Sequence, residues 1–232
     1  MSLYEPASVR SLFDEMSATY GLVNLISSFG FAAHWRHLVV KDLSIAPSAR
    51  IVDLMSGMSE LCRSVARCLP MPSNVTGVDI SPQMIGRAEK NWPFPLELVL
   101  ADVLKWEFPG GSADVVISSF GLKTFDHDQQ AFLAERVAQL LRPGGVFSFI
   151  EISVPARWLL CPLYMFYLER VVPWIGRVFL GNPANYRLLG IYTRAFGDCT
   201  HFASCLARAG LQMSQRSHFF GCATSVRGSK PA

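Results

Sequence analysis

The chain has 232 residues, half of them hydrophobic, and its mean hydropathy is +0.27. This length and composition favour one large folded domain and exclude a disordered chain. The 21 basic and 18 acidic residues give a formal charge of +3 and form no block of like charge, so a nucleic-acid surface is not indicated.

The sequence also indicates where the protein works. Its six cysteines form no CxxC pair and no Cys/His cluster with zinc-ligand spacing, which predicts reduced thiols and no metal site. The N-terminal stretch MSLYEPASVRSLFDE has no basic start followed by an apolar core, so we expect a cytoplasmic protein. The segment Trp158–Leu168, WLLCPLYMFYL, is too short to span a bilayer, but it could lie on the inner face of a membrane.

The predicted elements begin with an N-terminal helical cap. From Ser8 to Leu43 apolar residues recur at helical spacing, in two stretches that break around Ser27–Phe31. Strands and helices then alternate as far as Ser153, which predicts a parallel sheet covered by helices on both faces. The predicted strands are Ile51–Met55, Val75–Asp79, Leu96–Leu100, Asp114–Ser118 and Val146–Ile150, and the predicted helices are Glu60–Leu69, Pro82–Asn91 and Gln129–Leu141.

An insertion rich in aromatic residues and proline follows Ser153 and extends to about Phe196. A last helix, Thr200–Ala209, precedes two strands, Leu211–Gln215 and Gly221–Arg227. Because few residues join these two strands, they must pair antiparallel. The ligand of such a sheet should lie beyond the carboxyl ends of its parallel strands.

Three acidic residues stand at predicted strand ends: Asp53, Asp79 and Asp102. A carboxylate at the end of the second strand can accept hydrogen bonds from both hydroxyls of a ribose, which indicates a cofactor that contains adenosine. Helix or turn capping is the alternative for each acid alone.

The loop after the first strand, residues 55–60, distinguishes between two such cofactors. The pyrophosphate of NAD needs a glycine-rich turn, yet Met58 and Ser59 would crowd it and Glu60 would repel it. S-adenosylmethionine has a cationic sulfur and an ammonium group and no phosphate, so Asp53 and Glu60 would favour it. If Ser59 adopts a left-handed backbone conformation, the cost is about 1–2 kcal/mol, which weakens a site without abolishing it.

Two stretches resemble the signatures of the UbiE/COQ5/MenG methyltransferases, which methylate ring carbons of quinone precursors with S-adenosylmethionine. They are YGLVNLISSFGFAAHW, from Tyr20 to Trp35, and LLRPGGVFSFIEIS, from Leu140 to Ser153. The blocks DLMSGMSE, VTGVDISPQMI, LADVLKWEF and SSFGLKTF match in order between them, and VVPWIG and NPANYRLL match after them. The chain departs from the family pattern at the glycine-rich loop, at Lys123 and Thr124 in place of Arg-Asn, at Ala32, at Gly21, and at Gly190 and Ile191.

The resemblance implies one class I methyltransferase domain with a Rossmann-like, doubly wound, mostly parallel seven-stranded sheet and an antiparallel last strand. It divides the chain into a helical cap (1–44), a cofactor-binding core (45–153), a helical substrate-side insertion (154–197), and a last helix and hairpin (198–232). It also implies cofactor-binding roles for Asp53, Ser56, Gly57, Glu60, Asp79, Ile80, Met84, Asp102, Val103 and Phe120. Helix packing is the alternative for Met84, and core packing is the alternative for Phe120.

The resemblance makes Lys123 and Tyr20 the catalytic candidates. Lys123 keeps the positive charge of the replaced arginine but not its planar donor set, and a solvated surface lysine is the alternative. Tyr20 lies in the matched signature, with aromatic core packing as its alternative. Tyr164, Tyr186 and Arg194 of the insertion are candidates for binding the substrate.

The insertion is more apolar than a lid over a polar metabolite requires, which indicates a hydrophobic, ring-bearing acceptor. The segment could line a tunnel, lie in a membrane interface, bury a homodimer face or form plain core. Two functions remain open: an S-adenosylmethionine-dependent methyltransferase, and a catalytically altered homologue that binds the cofactor as an assembly subunit. A dehydrogenase is a distant third.

Overall fold

The central sheet contains all the strands among the described residues. The computed structural model describes residues 3–41, 43, 45–46, 48–68, 74–91, 96–179 and 181–232. Seven strands form one sheet in the order β3-β2-β1-β4-β5-β7-β6. The strands are β1 (Arg50–Leu54), β2 (Asn74–Asp79), β3 (Leu96–Leu100), β4 (Ala113–Ser119), β5 (Leu141–Ile152), β6 (Gln212–His218) and β7 (Ala223–Ser229).

The strand directions confirm the predicted fold class. Strands β1 to β5 are parallel, and β1 lies in the middle, with Val52 paired to Thr76 of β2 and to Val116 of β4. Strand β7 is antiparallel to both β5 and β6, because only the short turn Phe219–Gly221 joins it to β6. The carboxyl ends of β1, β2 and β4 therefore meet at one edge of the sheet.

The helices cover both faces of the sheet and its carboxyl edge. None of the helices among the described residues is long and apolar enough to cross a membrane. The helices are α1 (Pro6–Met16), α2 (Tyr20–Ser27), α3 (Phe31–Lys41), α4 (Glu60–Cys68), α5 (Pro82–Asn91), α6 (His127–Leu140), α7 (Cys161–Phe166), α8 (Val172–Val178), α9 (Pro183–Phe196) and α10 (Thr200–Arg208).

The cap differs from the prediction, because it contains three helices instead of two. The predicted break at Ser27–Phe31 is present, but a second break separates α1 from α2. There the hydroxyls of Ser17 and Thr19 donate to the backbone carbonyls of Asp14 and Met16, which competes with continued helix. The predicted cap boundary at residue 44 and the predicted helix end at Leu69 lie outside the described residues.

The start of α6 and the length of β5 also differ from the prediction. Helix α6 begins two residues earlier than expected, because Asp126 and Gln129 form a capping box. Strand β5 begins directly at Leu141 and pairs with β7 as far as Ile152. The prediction placed this strand at Val146–Ile150 only, because the long pairing with β7 is a tertiary feature that no local pattern shows.

Three clusters of buried apolar residues hold these layers together. Two clusters lie on the two faces of the sheet. The third joins the cap to the insertion through Leu12, Met16 and Val23 on one side and Val172 and Tyr186 on the other. The cap and the insertion therefore pack against each other, and between them they enclose the space beside the carboxyl edge of the sheet.

Candidate active site

The loop after β1 adopts an unusual backbone conformation. Met55, Gly57 and Ser59 have φ values of 55°, 55° and 58°, all in the left-handed region. The expectation for Ser59 is therefore correct, and Met55 carries the same strain. Each non-glycine residue costs about 1–2 kcal/mol in this conformation, so the loop keeps the shape of a glycine-rich turn at an energetic cost.

The side chains of the two methionines in the loop, Met55 and Met58, pack against glycines from other parts of the chain. A Cβ atom added to Gly121 would lie 2.6 Å from Cβ of Met55, and one added to Gly21 would lie 3.1 Å from Cε of Met58. Gly21 and Gly121 thus make room for the two side chains. Nothing lies within 4 Å of the position that a Cβ atom on Gly57 would occupy, so the backbone of the loop can be approached at that point.

A cavity of about 880 Å³, counted with its open mouth, lies over this loop at the carboxyl edge of the sheet. We call it the loop cavity. Nine of the predicted cofactor residues line it, together with Tyr20 and parts of α1: Ser56, Gly57, Glu60, Asp79, Ile80, Met84, Asp102, Val103 and Phe120. The structure therefore brings together side chains from six separate segments of the sequence.

Asp79 is fixed in the wall of the loop cavity by backbone donors. Its Oδ2 accepts from the backbone N–H of Gly57 at 2.7 Å, and its Oδ1 accepts from that of Ser81 at 2.8 Å. Burial raises the pKa of Asp79 above its ordinary value, and these N–H donors act in the opposite direction. The carboxylate thus connects the loop after β1 with the end of β2.

Asp53 does not reach the loop cavity but lies buried behind the loop. Its Oδ2 accepts from the thiol of Cys62 at 3.6 Å. Its Oδ1 and the hydroxyls of Ser56 and Ser59 are buried without a hydrogen-bond partner among the described residues. Burial raises the pKa of Asp53 to about 8, although the Cys62 thiol lowers it. Polar atoms beneath the loop are therefore left for a bound group or for water.

An arginine that the sequence analysis missed lies in the loop cavity. Arg36 of α3 is 8% exposed, and its Nη2 donates to Oε2 of Glu60 at the start of α4. Its guanidinium lies over the ring of Phe120, 5.1 Å from the ring centre. The only available signal in the sequence was the position of Arg36 directly after Trp35, at the end of the N-terminal signature.

A second and larger cavity, of about 1310 Å³ with its mouth, lies between the cap and the insertion. We call it the cap cavity. It shares Tyr20 and Phe120 with the loop cavity, so the two spaces adjoin at these side chains. Three of the candidate residues from the sequence line it: the catalytic candidate Lys123 and the substrate-binding candidates Tyr164 and Tyr186. Arg194 does not line it, because this exposed arginine forms an ion pair with Glu169 at 2.7 Å.

Most hydroxyls in the cap cavity already have partners. Tyr164 donates to the carbonyl of Cys222 at 3.2 Å, Tyr167 donates to that of Ser27 at 2.7 Å, and the Tyr186 hydroxyl bonds that of Thr19 at 2.8 Å. Burial raises the pKa of each of these tyrosines. The walls of the cavity are thus mostly apolar towards a ligand.

Lys123 is the exception, because its charge is buried in this wall. The side chain is 4% exposed and its Nζ donates to Oε1 of Glu151 at 2.7 Å and to the carbonyl of Phe120 at 2.8 Å. Glu151 is fully buried, and its Oε2 also accepts from the backbone N–H of Lys123 at 3.1 Å. The alternative of a solvated surface lysine is therefore wrong.

Comparison with known proteins decides the family. A model of the ubiE/COQ5 methyltransferase family matches residues 1–230. The chain belongs to this family. The family's S-adenosylmethionine-dependent transfer of a methyl group is thereby established for the chain, and the prediction of this enzyme class and cofactor is confirmed.

Two relatives of the family cover nearly all of the chain. A demethylmenaquinone methyltransferase from Thermus thermophilus is 31% identical over 225 residues, which are 95% of this chain and all of the relative. A ubiquinone/menaquinone biosynthesis C-methyltransferase from Geotalea daltonii is 28% identical over 96% of each chain.

Solved structures show the same fold at low sequence identity. A methyltransferase from Thermotoga maritima superposes with a TM-score of 0.64 at 15% identity, over 95% of this chain and 99% of that one. Human N-acetylserotonin methyltransferase in complex with S-adenosylmethionine gives a TM-score of 0.60 at 19% identity, over 94% of this chain and 59% of that one.

The loop cavity fits the cofactor of the family. The residues that line it include three acids, Glu60, Asp79 and Asp102, and the approach to Gly57 is open. This charge suits a cationic ligand without phosphate. Met55 and Met58 line the cavity as well, but they rest on Gly121 and Gly21.

Proposed function

We propose that the protein methylates a ring carbon of a lipophilic hydroquinone of the demethylmenaquinol type. One observation carries this proposal: an apolar cavity that contains one buried cation adjoins the loop cavity through Tyr20 and Phe120. A ring with a polar oxygen and a hydrophobic tail matches such a cavity. The relatives are named for methylation of demethylmenaquinone and of quinone precursors, which supports the same substrate class here.

On the cofactor side, we propose that the predicted residues of the loop cavity keep their roles. Asp79 accepts hydrogen bonds from the ribose, Ile80 and Met84 cover the adenine, and Asp102 and Val103 contact the edge of the adenine. Ser56 and Gly57 offer the loop backbone to the methionine end. Asp53, which lies behind the loop, acts through the position of the loop, since its Oδ2 accepts from the Cys62 thiol at the base of α4.

S-adenosylmethionine, when bound, supplies an electrophilic methyl group. Lys123 has three N–H donors, and its contacts with Glu151 and Phe120 use two of them. We propose that the third donates to a ring oxygen of the acceptor and stabilises the oxygen anion that makes the ring carbon nucleophilic. The ion pair with Glu151 fixes Nζ of Lys123 in the cavity wall, where it can act as a hydrogen-bond donor.

Tyr20 supports the same oxygen from the junction of the two cavities. Burial raises its pKa above the ordinary value, so its hydroxyl is protonated at neutral pH and can donate a hydrogen bond to this oxygen. The cofactor would supply its methyl group as an electrophile and keep the electron pair of the carbon–sulfur bond. The acceptor hydroxyl would lose its proton before transfer, and the proton of the methylated ring carbon would then return to that oxygen, so one proton is released for each methyl group gained. The walls exclude other water and align the two reactants.

We further propose that the acceptor reaches the cap cavity from a membrane surface. Phe29 and Phe219 line this cavity and are 81% and 48% exposed, so they mark its mouth. Other exposed apolar side chains of the insertion and the hairpin turn continue this mouth surface: Leu159, Leu160, Leu163 and Phe220. Trp158 joins the two parts, because it stacks on Phe220 at 5.2 Å.

Methyl transfer to a short-chain demethylmenaquinol, kept reduced, tests the proposed function. We expect release of S-adenosylhomocysteine and a product that is one methyl group heavier, with the new methyl on ring carbon by NMR. The oxidised quinone and the already methylated menaquinol serve as controls and should give no product, because the first lacks the electron-rich ring and the second lacks the free position.

The same assay separates the enzyme from the second candidate, a homologue that binds the cofactor without turnover. Cofactor binding by calorimetry, with no product from quinols or from other lipophilic phenols, would contradict the proposed activity and favour an assembly subunit. An O-methylated product would keep the enzyme class but contradict the proposed acceptor atom.

A further inference from the structure

We propose that Arg36 and Glu60 together clamp the α-amino-acid end of S-adenosylmethionine. Arg36 binds the carboxylate of the ligand, and Glu60 binds the ammonium group of the ligand. This inference rests on the proposed function, because it assigns a subsite in the same cavity. Arg36 comes from the cap helix α3 and Glu60 from the first turn of α4. The clamp therefore joins the cap to the Rossmann-like core.

The charge of the loop cavity requires such a partner for the ligand carboxylate. Three acids line this cavity, and Arg36 is the only basic side chain among the described residues that line it. A ligand carboxylate placed there without a cation would meet only like charge. A bidentate guanidinium is the side chain that recognises a carboxylate best.

The geometry holds Arg36 in place for this task. Its side chain is 9% exposed, it pairs with Glu60, and its guanidinium lies over the Phe120 ring. The contact with Glu60 uses Nη2 of Arg36 and Oε2 of Glu60. Among the contacts between described residues, Oε1 of Glu60 has no other partner, so each group keeps capacity for a ligand. A zwitterion presents the complementary pair of charges to this ion pair.

The position of the clamp within the loop cavity also fits. Arg36 and Glu60 border a surface groove together with Gly21 and Met58. Ile80 and Asp102, which are proposed to contact the adenine, border a different groove beside α1. The ion pair and the proposed adenine site therefore lie at different ends of one cavity, as the two ends of a nucleoside-linked amino acid require. Gly21 leaves room for the side chain of Met58 here, because a Cβ atom at residue 21 would lie 3.1 Å from Cε of Met58.

Four nucleosides test the clamp by calorimetry. They are S-adenosylhomocysteine, its analogue without the carboxylate, its analogue without the amine, and 5′-methylthioadenosine, which lacks both groups. Arg36→Met should weaken S-adenosylhomocysteine roughly 10- to 100-fold, the range expected for a lost charge-assisted contact. The same variant should bind the analogue without a carboxylate nearly as the wild type does.

Glu60→Gln should give the mirror image, with weaker binding of S-adenosylhomocysteine and unchanged binding of the analogue without an amine. Arg208→Met is the control, since Arg208 is an exposed arginine of α10 that lines neither the loop cavity nor the groove beside the clamp. It should leave all four affinities unchanged. Arg36→Lys keeps the charge and should lose less than Arg36→Met, which guards against a variant that merely misfolds.

Three results would overturn the clamp. In the first, Arg36→Met binds S-adenosylhomocysteine as tightly as the wild type. In the second, both Arg36 variants lose all four nucleosides equally, including 5′-methylthioadenosine, which indicates a structural role. In the third, the wild type binds none of them, and the proposed function fails as well. The variants could instead discriminate among the four nucleosides as expected while the wild type methylates no quinol. That result would support the clamp and contradict only the proposed function.

Discussion

At the scale of single residues, Ser59 shows what the altered loop costs and whether it keeps its shape. Its φ of 58° is strained, and its buried hydroxyl has no hydrogen-bond partner among the described residues. Both features cost free energy in the folded state. The loop nevertheless keeps its shape, with Asp79 bonded to the N–H of Gly57, so the glycines are replaced at the expense of stability and not of geometry.

Replacement of Ser59 by glycine should therefore stabilise the protein. We expect Ser59→Gly to raise the free energy of unfolding by about 1 kcal/mol, because it relieves the left-handed backbone and removes the unpaired hydroxyl. Cofactor affinity should stay the same or improve. Chemical denaturation and calorimetry with S-adenosylhomocysteine measure the two quantities.

Met55 provides the matched control at the same loop. Met55→Gly relieves a similar φ of 55° but removes a side chain that packs against Gly121. Loss of that packing should outweigh the relief and lower stability, because the half-buried Met55 side chain packs against the core. Stabilisation by Met55→Gly, or destabilisation by Ser59→Gly, would contradict this account of the loop.

At the scale of elements, the buried ion pair ties the turn after β4 to the end of β5. The short helical turn Leu122–Thr124 is held by two bonds to Glu151, one from the backbone N–H and one from Nζ of Lys123. The same Lys123 faces the cap cavity. One contact thus serves both the packing of two elements and the proposed stabilisation of the acceptor oxygen.

The two contributions can be separated with paired substitutions. Lys123→Met should destabilise the protein by about 3–5 kcal/mol, because it leaves the Glu151 carboxylate buried without a cation. Adding Glu151→Gln should restore most of that stability, since the side chain at position 151 is then neutral and its amide oxygen can still accept from the backbone N–H of residue 123. Turnover should remain at least about 100-fold reduced in both variants, because the donor to the acceptor oxygen is missing.

Denaturant unfolding and steady-state kinetics measure these effects. Glu151→Gln alone is the control for the carboxylate, and it should also lose stability because Lys123 stays buried without its partner. Full turnover by the doubly substituted protein would show that Lys123 is structural only. Wild-type stability of Lys123→Met would show that the ion pair is dispensable for packing.

At the scale of the whole molecule, charge and exposed apolar surface fall on the same part of the chain. Residues 154–197 contain five arginines and one glutamate, a formal charge of +4 against +3 for the whole protein. The same segment supplies Leu159, which is 91% exposed, and Leu163, which is 62% exposed. Apolar side chains flanked by arginines suit a bilayer that contains anionic lipid.

Vesicle sedimentation tests this association. The wild type should bind vesicles with anionic lipid more strongly than neutral ones, and salt should weaken the binding. Leu159→Ser combined with Leu163→Ser should bind several-fold less, while Phe132→Ser should not change binding, because Phe132 is an exposed residue of α6 outside the cap and the insertion. Equal loss with Phe132→Ser, or a salt-resistant homodimer through this surface with no lipid binding, would contradict the proposal.

The sequence by itself determined the sheet and, through its resemblance to the signatures Tyr20–Trp35 and Leu140–Ser153 of a known family, the enzyme class and the cofactor. Strand and helix periodicity, the turn chemistry and the acids at the ends of β1 and β2 are local patterns, and each element carries its own signal. The left-handed conformation at Ser59 was likewise foreseeable, because a glycine-rich turn imposes it on any residue that replaces a glycine.

Only the tertiary structure decided which of these residues meet. Lys123 and Glu151 are 28 residues apart and Arg36 and Glu60 are 24 apart, yet each pair is in contact. Arg194, with similar chemistry, pairs with Glu169 on the surface instead. Such contacts depend on how separate elements pack, and no local pattern encodes that packing. The charge of a side chain is thus readable from the sequence, whereas its partner is set by the fold.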